Sequence, residues 1–456
     1  MFSQDSGRLF LGVDMGTSKV AAVLADRDGQ VQAAASAAHG CGASAPAGRA
    51  EQDAGRLLEA AWRTVGQLPA EQRQRVGAVG VTGQMHGVLL LDAAGRPVSP
   101  LFTWQDGRCL EEPGFLDRLG ARTGYALRTG FGCATLAWLA AHRAVPAAAV
   151  SACTVHDWVV ARLCGRPRAV TDPTDAASWG LFDLDSLDWD RRAAEAAGIE
   201  PSLLPEVVPC GASAGRLATE SARAFGLPAG VSVTAAIGDN QASLLATLRD
   251  PERELALTLG TGGQLSAVLA AGAPRPAATV RFEYRPYPGG RRLAVAAALC
   301  GGAAWAWLAD SVESWARDMG LAAPPRAEVF GRLNALGLAA DTAIDVSPVF
   351  AGERFDPGLR GAIGGLGVGG LPLGPLARGL ARGIVANLRA MLPEELLAGR
   401  RVVVGSGNAL RRNELLRRMA EDVFGLPLQL PESREEAAAG AAILAAQLGA
   451  GRGGET

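Results

Sequence analysis

Lysine is almost missing from this 456-residue chain: of its 44 basic side chains only Lys19 is a lysine. The remaining arginines, in a background rich in alanine and glycine, read as the codon bias of a GC-rich genome. They are balanced by 46 acidic residues, for a formal net charge of −2. That balance excludes the basic surplus of a nucleic-acid binder. Cysteine is sparse, with seven residues, an odd number, and no C-x-x-C pair. Neither a disulfide framework nor a zinc site is indicated, and reduced thiols of a cytoplasmic protein are expected. Long hydrophobic runs are also lacking. The uncharged stretch Leu293 to Ala309 is broken by Gly301-Gly302 and falls short of the roughly 18 residues that a membrane span needs. A buried strand, a tight turn and a helix start are expected there. Asp5 and Asp14 bracket a short apolar run, so no signal peptide is expected and no membrane partner either.

What is present is a globular composition, 48% hydrophobic and 20% charged, with length for two large domains or three small ones. Leu9–Val13 reads as a buried strand that runs into Asp14-Met15-Gly16-Thr17-Ser18, with a returning strand near Val20–Leu24. The pattern recurs: Leu255–Leu259, the turn Gly260-Thr261-Gly262-Gly263, and a returning strand Leu265–Leu269. Both returning strands contain Ala-Val-Leu-Ala, at 22–25 and 267–270. Two related α/β domains, 1–245 and 246–456, are expected.

A Gly-Thr turn between strands can wrap a phosphate, because glycine lets the backbone approach and successive N–H groups form an anion nest. Asp14, at a strand end, suits Mg²⁺ directly or through water. Neither turn fits the P-loop pattern, and G-x-G-x-x-G is absent after the first strand, so Walker and Rossmann readings fail. Gly405-Ser406-Gly407-Asn408, between a strand and an amphipathic stretch, could let a flat ligand lie on the backbone, or be an ordinary strand–helix turn. Thr82 to Gly87 and Thr103 to Cys109 are dense in hydrogen-bonding groups with one tryptophan, the mixture a polyhydroxylated ligand requires. Asp239, after the apolar strand Val231–Ile237, is the best general-base candidate, with an Asx turn as the plain alternative. His156-Asp157 reads as a helix start rather than as catalytic.

Asp14-x-Gly16-Thr17, Gln84-Met85-His86-Gly87, Gly238-Asp239-x-Gln241-Ala242, Gly260-Thr261-Gly262 and Gly352-Glu353-Arg354 occur in this order along nearly the whole chain. Together they resemble the FGGY carbohydrate kinases. The blocks Thr103 to Cys109, Thr129 to Thr135, Ala176 to Gly180 and Gly405 to Leu410 are similar to the members that act on the seven-carbon ketose sedoheptulose. The resemblance implies two actin-like, ribonuclease-H-like domains, the first binding sugar and the second nucleotide, with an active-site cleft between them, and ATP with Mg²⁺ as cofactors. It implies Asp239 as catalytic base and Asp14 at the metal. Gly16, Thr17, Ser18, Gly260, Thr261 and Gly262 would hold phosphates, and Gly405, Gly407 and Asn408 would lie by the adenosine. Gln84, Met85, His86, Trp104, Asp106, Arg108 and Asp239 would line the sugar pocket. The family's usual cation seven positions after the first aspartate is replaced by Ala21, and Lys19 is expected to substitute for it, since alternate residues of a strand share a face. The implied reaction is ATP-dependent phosphorylation of a ketose's terminal hydroxyl by a monomer or homodimer. A kinase for D-xylulose or another ketose, and an actin-like ATPase switch without sugar activity, stand as alternatives.

Overall fold

The computed structural model describes residues 7–43, 45–322, 324–432 and 435–449; Asp5 lies outside them. The chain forms two compact units. The first takes the chain through Thr247, the short stretch Pro286–Gly289 and the C-terminal helix; the second takes Leu248–Arg285 and Gly290–Glu432.

The first unit is built on a seven-stranded sheet. Its strands are β1 (Leu9–Met15), β2 (Lys19–Ala25), β3 (Val31–Ala38), β4 (Val76–Gly83), β5 (Ser213–Arg216), β6 (Ser232–Thr234) and β7 (Ile237–Gly238). The order is β5-β6-β4-β1-β2-β3, with β7 also paired to β4. β1 and β2 are apolar at almost every position because both faces are covered. β3, at the edge, alternates between half-buried and exposed residues. β1 runs parallel to β4, with Asp14 opposite Thr82, and β7 runs parallel to β4, with Ile237 opposite Thr82. The chain therefore leaves three neighbouring parallel strands at one edge of the sheet, where ligands of α/β folds gather. There it delivers Asp14, Gln84 and Asp239.

Helices α1 (Ala54–Gly66), α2 (Val155–Leu163) and α3 (Pro173–Ser178) each begin on a side-chain cap. Asp53 accepts from Arg56 N, Thr154 from Asp157 N, and Asp172 from the Thr174 and Asp175 N–H groups. Helix α4 (Asp239–Thr247) follows β7 directly.

The second unit repeats the scheme. Its sheet has the order β10-β11-β9-β8-β12-β13, from β8 (Glu254–Leu259), β9 (Gly263–Leu269), β10 (Phe282–Tyr287), β11 (Arg291–Ala298), β12 (Val402–Ser406) and β13 (Leu428–Gln429). β8 pairs antiparallel with β9 and parallel with β12, as β1 pairs with β2 and β4. The two Gly-Thr turns thus occupy the same place in each unit. The uncharged stretch 293–309 is β11, a Gly-Gly turn and the start of helix α5 (Gly302–Asp318). A Cβ at Gly301 would lie 2.2 Å from the Gly262 carbonyl oxygen and one at Gly302 2.6 Å from that of Gly260, so only glycine fits there. Helices α6 (Leu373–Arg389), α7 (Asn408–Arg412) and α8 (Glu414–Phe424) complete the unit's nucleus.

The last helix, α9 (Glu436–Gly449), lies on β1, β2, β4 and α4 of the first unit. In space the C-terminal helix thus belongs with the sheet of the first unit. The cause is steric: α9 presents a nearly continuous alanine face, and the sheet answers it with glycines. A Cβ at Gly12 would sit 1.8 Å from Ala438 O, and one at Gly80 2.0 Å from Ala441 O. Ala21, fully buried, packs in the same cluster as Ala438 and Ala442. Among the described residues no helix is long and apolar enough to cross a membrane, and all seven cysteines are free thiols.

Candidate functional site

In the first unit, the turn after β1 brings the chain back so closely that a Cβ on Gly16 would meet the Lys19 carbonyl oxygen at 2.8 Å. Asp14 stands at its mouth. Its Oδ1 is buried without a hydrogen-bond partner among the described residues. Burial, and then the charge of Asp239, push its carboxyl up to about 8 against the opposing pull of Lys19. An orphaned, electrostatically strained oxygen of this kind is satisfied by a proton or by a cation. No cluster of three ligating residues accompanies it among the described residues, so a Mg²⁺ held here would take its other ligands from nucleotide phosphates and water. Ser18 is exposed at the tip of the turn. Lys19 faces an acidic partner. Its ammonium binds both oxygens of Glu435, at 2.8 and 2.6 Å, and so ties β2 to the segment entering α9. Ala21, on the same face, lies under α9 where a longer side chain has no room.

The polar blocks separate into two groups. Gln84 (2% exposed) and Trp104 (47% exposed) both connect to Thr17: Trp104 Nε1 donates to Thr17 Oγ1 at 2.9 Å, and Thr17 Oγ1 lies 3.4 Å from Gln84 Oε1. His86 adopts a positive φ of 73°. Its backbone N–H donates to Ser178 Oγ, and its Nδ1 meets the Ser178 carbonyl oxygen at 2.6 Å. A carbonyl only accepts, so Nδ1 carries the proton. The ring stacks on Phe131, with centroids 4.7 Å apart. Met85 is buried against Gly238, where a Cβ would touch its sulfur at 2.9 Å.

Asp106 and Arg108, expected in the sugar pocket, are turned toward each other. Asp106 is fully buried, and its carboxylate accepts from Arg108 N, Nε and Nη2 and from Ala50 N. The guanidinium, 2% exposed, also reaches Glu51 at 2.7 Å and lies 4.0 Å over the Phe102 ring. With the carboxylate's lone pairs engaged in this way, both groups are structural supports for the Trp104 loop and neither offers itself to a ligand.

Asp239 opens α4, where the helix N-terminus favours a carboxylate. The backbone before it is clamped by two threonines: Thr82 Oγ1 donates to Ile237 O at 2.6 Å, and Gly238 N donates to Thr174 Oγ1 at 2.9 Å. Thr174 in turn donates to Asp172 at 2.6 Å. Around this mount lies a group that the sequence reading missed. His156, Asp157, Asp172 and Asp175 are all fully buried, and His156 Nε2 approaches Asp175 Oδ2 at 2.8 Å. Burial lowers the imidazole's pKa against the pull of Asp157, Asp239 and Asp172. Burial, then neighbouring Asp172 and Asp239, hold Asp175 well above the usual carboxylate range. Asp157 is pushed up to about 8 by burial and then by Asp175. Fully buried, these carboxyls are shut off from a substrate hydroxyl. Asp239, partly exposed, is the acid of this region best placed to take a proton. The sequence signals for the group were His156-Asp157, which reads as a helix start, and the clustering of acids at Thr171 to Asp175, which reads as a polar turn until the fold buries it.

In the second unit, the turn Gly260-Thr261-Gly262 is braced by the start of α5. Gly302 N donates to Gly260 O at 2.7 Å, and Gly301 N and Ala303 N to Thr261 O at 3.0 Å. Gly405-Ser406-Gly407-Asn408 runs from β12 into α7 beside it. Gly407, at φ 87°, passes so near β8 that a Cβ would lie 2.3 Å from Leu259 O, and Ser406 Oγ lies 2.8 Å from Thr258 Oγ1. The phosphate and adenosine candidates Gly260, Thr261, Gly262, Gly405, Gly407 and Asn408 are thus brought together at the ends of the parallel pair β8 and β12.

The comparisons agree with this geometry. The model of the FGGY family of carbohydrate kinases, N-terminal domain, matches residues 9–246, and that of the C-terminal domain matches residues 255–448. A human sedoheptulokinase is 35% identical over 468 aligned residues, covering 95% of this chain and 96% of that protein. A xylulose kinase of Streptomyces coelicolor is 29% identical, covering 98% and 89%. Among solved structures, a xylulose kinase from Rhodospirillum rubrum superposes with a TM-score of 0.81 at 26% identity, over 97% of this chain and 91% of that one.

Proposed function

The chain belongs to the FGGY family of carbohydrate kinases, and from that premise we propose that its substrate is sedoheptulose, converted with ATP to sedoheptulose 7-phosphate and ADP. The fold is the family's two-domain actin-like α/β fold, and the protein is an ATP-dependent sugar kinase. What carries the choice of sugar is the likeness, along almost the full length of both chains, to a human sedoheptulokinase. The Trp104-Gln105-Asp106 block supports it.

In this reading Asp239 accepts the proton of the primary hydroxyl as that oxygen attacks the γ-phosphoryl group. Trp104 covers the apolar face of the sugar, and Gln84 and the His86 ring meet its hydroxyls. Asp14 holds Mg²⁺, whose contribution when bound is to neutralise charge on the transferring phosphoryl group. The glycine turns at 16–18 and 260–262 give the phosphates backbone N–H groups, and Gly405 to Asn408 accept the adenosine. A cytoplasmic location fits the seven free thiols.

The test is ADP release with saturating ATP over a panel of sedoheptulose, D-xylulose, D-ribulose and glycerol. The highest kcat/KM is expected for sedoheptulose. A hydroxyl-binding group left unpaired by a shorter sugar costs about 1–3 kcal/mol, a discrimination of roughly ten- to hundredfold. Higher efficiency on D-xylulose, the reading favoured by the xylulose kinase relatives, would overturn the assignment.

A further inference from the structure

Thr17 sits in the turn that the family resemblance gives to ATP phosphates, yet its hydroxyl is already committed on the other side. An indole N–H can only donate, so in the 2.9 Å contact from Trp104 Nε1 the Thr17 oxygen is the acceptor. That leaves the threonine one hydrogen, and it faces Gln84 Oε1 at 3.4 Å. The orientation of the Gln84 amide is set from behind. Its Nε2 donates at 2.8 Å to Gln52 Oε1, and Gln52 Nε2 donates at 2.8 Å to the Thr17 carbonyl oxygen. The chain of donors closes into a ring that begins and ends on Thr17, and each link fixes the direction of the next. Gln52 and Gln84 are buried, at 7% and 2% exposed, so water does not readily replace these partners. Trp104, with 47% of its surface open, is held by its one polar atom and keeps a ring face for a ligand.

We propose that Thr17 and Gln52 are positioning residues of the sugar side, acting through Trp104 and Gln84. The ring links the first strand's turn to the polar block after β4 and to the Trp104 loop, so three segments distant in sequence hold one tryptophan plane and one amide in place. The proposal rests on the sugar-kinase reading but not on which ketose is preferred.

The experiment compares wild type with T17V, T17S, Q52E, W104F and the double variant T17V/W104F, measuring KM for ATP and for the best sugar of the wild-type panel. T17V keeps shape and removes the hydroxyl; a rise of roughly three- to tenfold in sugar KM is expected, matching the loss of one or two such bonds, with ATP KM changed less than twofold. T17S, which keeps the hydroxyl, should restore the wild-type value. T17V should add less in the W104F background than it does in wild type, because the bond from Trp104 is already lost there. Q52E places an acceptor against the Thr17 carbonyl and should raise sugar KM alone, which provides a second route if T17V folds poorly. A rise in ATP KM with sugar KM unchanged, additive effects of T17V and W104F, or an unaltered sugar KM in Q52E would each overturn the proposal. A wild-type enzyme that responds to no sugar would instead overturn the proposed function.

Discussion

Replacing Asp239 by asparagine tests the chemistry most directly, because the two side chains have the same size and the surroundings of Asp239 are fixed from the backbone. Thr82 and Thr174 clamp Ile237 and Gly238 through hydrogen bonds of 2.6 and 2.9 Å that do not involve the Asp239 side chain. The position of residue 239 should therefore survive the change. Two electrostatic effects oppose each other in stability. The helix N-terminus loses a carboxylate, worth about 0.3–1 kcal/mol. Asp14, whose carboxyl is held at about 8 by burial first and by Asp239 second, loses a repulsive neighbour, so its pKa falls. The net change in stability should stay within about 1 kcal/mol. The catalytic effect should be much larger. An amide cannot accept the hydroxyl proton, and general-base assistance is worth roughly 10²–10⁴ in rate. Initial-rate ADP formation at saturating ATP and sedoheptulose should show that loss in kcat, while sugar affinity by calorimetry changes less than severalfold. A D239N enzyme that turns over near the wild-type rate would refute the assignment, and the base would have to be sought elsewhere.

Gly80→Ala puts a methyl 2.0 Å from the Ala441 carbonyl oxygen, so overpacking should cost at least about 1–3 kcal/mol; an unchanged thermal midpoint would show that α9 shifts freely. Lys19→Ala removes an ion pair with Glu435 in which the lysine is about half exposed. Such pairs contribute at most about 1 kcal/mol, and ATP KM should change less than twofold; a large rise would return Lys19 to phosphate binding. The buried acids give a pH dependence whose sign follows from their direction. Asp14 and Asp157 have folded-state values of about 8, far above their ordinary 3.8, so between those limits the folded chain binds more protons than the unfolded one. Their contribution is most favourable below about pH 4 and is lost as pH rises toward 8. The first unit should therefore melt lower at pH 8.5 than at pH 6.5 in the absence of metal, and a midpoint that rises over that interval would contradict the burial argument.

The strand–turn–strand units were legible in the sequence because everything that makes them is local. Leu9–Met15 and Glu254–Leu259 are apolar runs, their turns carry glycine, and the returning strands follow at once. Residues 293–309 were legible for the same reason, since Gly301-Gly302 separates a strand from a helix within a few positions. Asp239 could be singled out because a buried strand and a glycine precede it. Asp106 and Arg108 were misplaced because polarity in a sequence does not say what it faces. The same two residue types serve to grasp a ligand or each other, and only the loop's path, with Ala50 N and Glu51 arriving from 56 and 57 residues away, makes them an internal pair. The His156–Asp175 contact and the Thr17–Gln84–Gln52 ring lay beyond sequence reading on similar grounds, each joining segments separated by 19 to 67 positions. The Lys19–Glu435 pair, which joins residues 416 positions apart, was out of reach for the same reason. Sequence alone determined which segments become strands, turns and helices, because propensity and periodicity act over a few residues. Tertiary structure decided which polar groups remain for a substrate, because a hydrogen-bonding group's availability depends on what the rest of the chain has already placed against it.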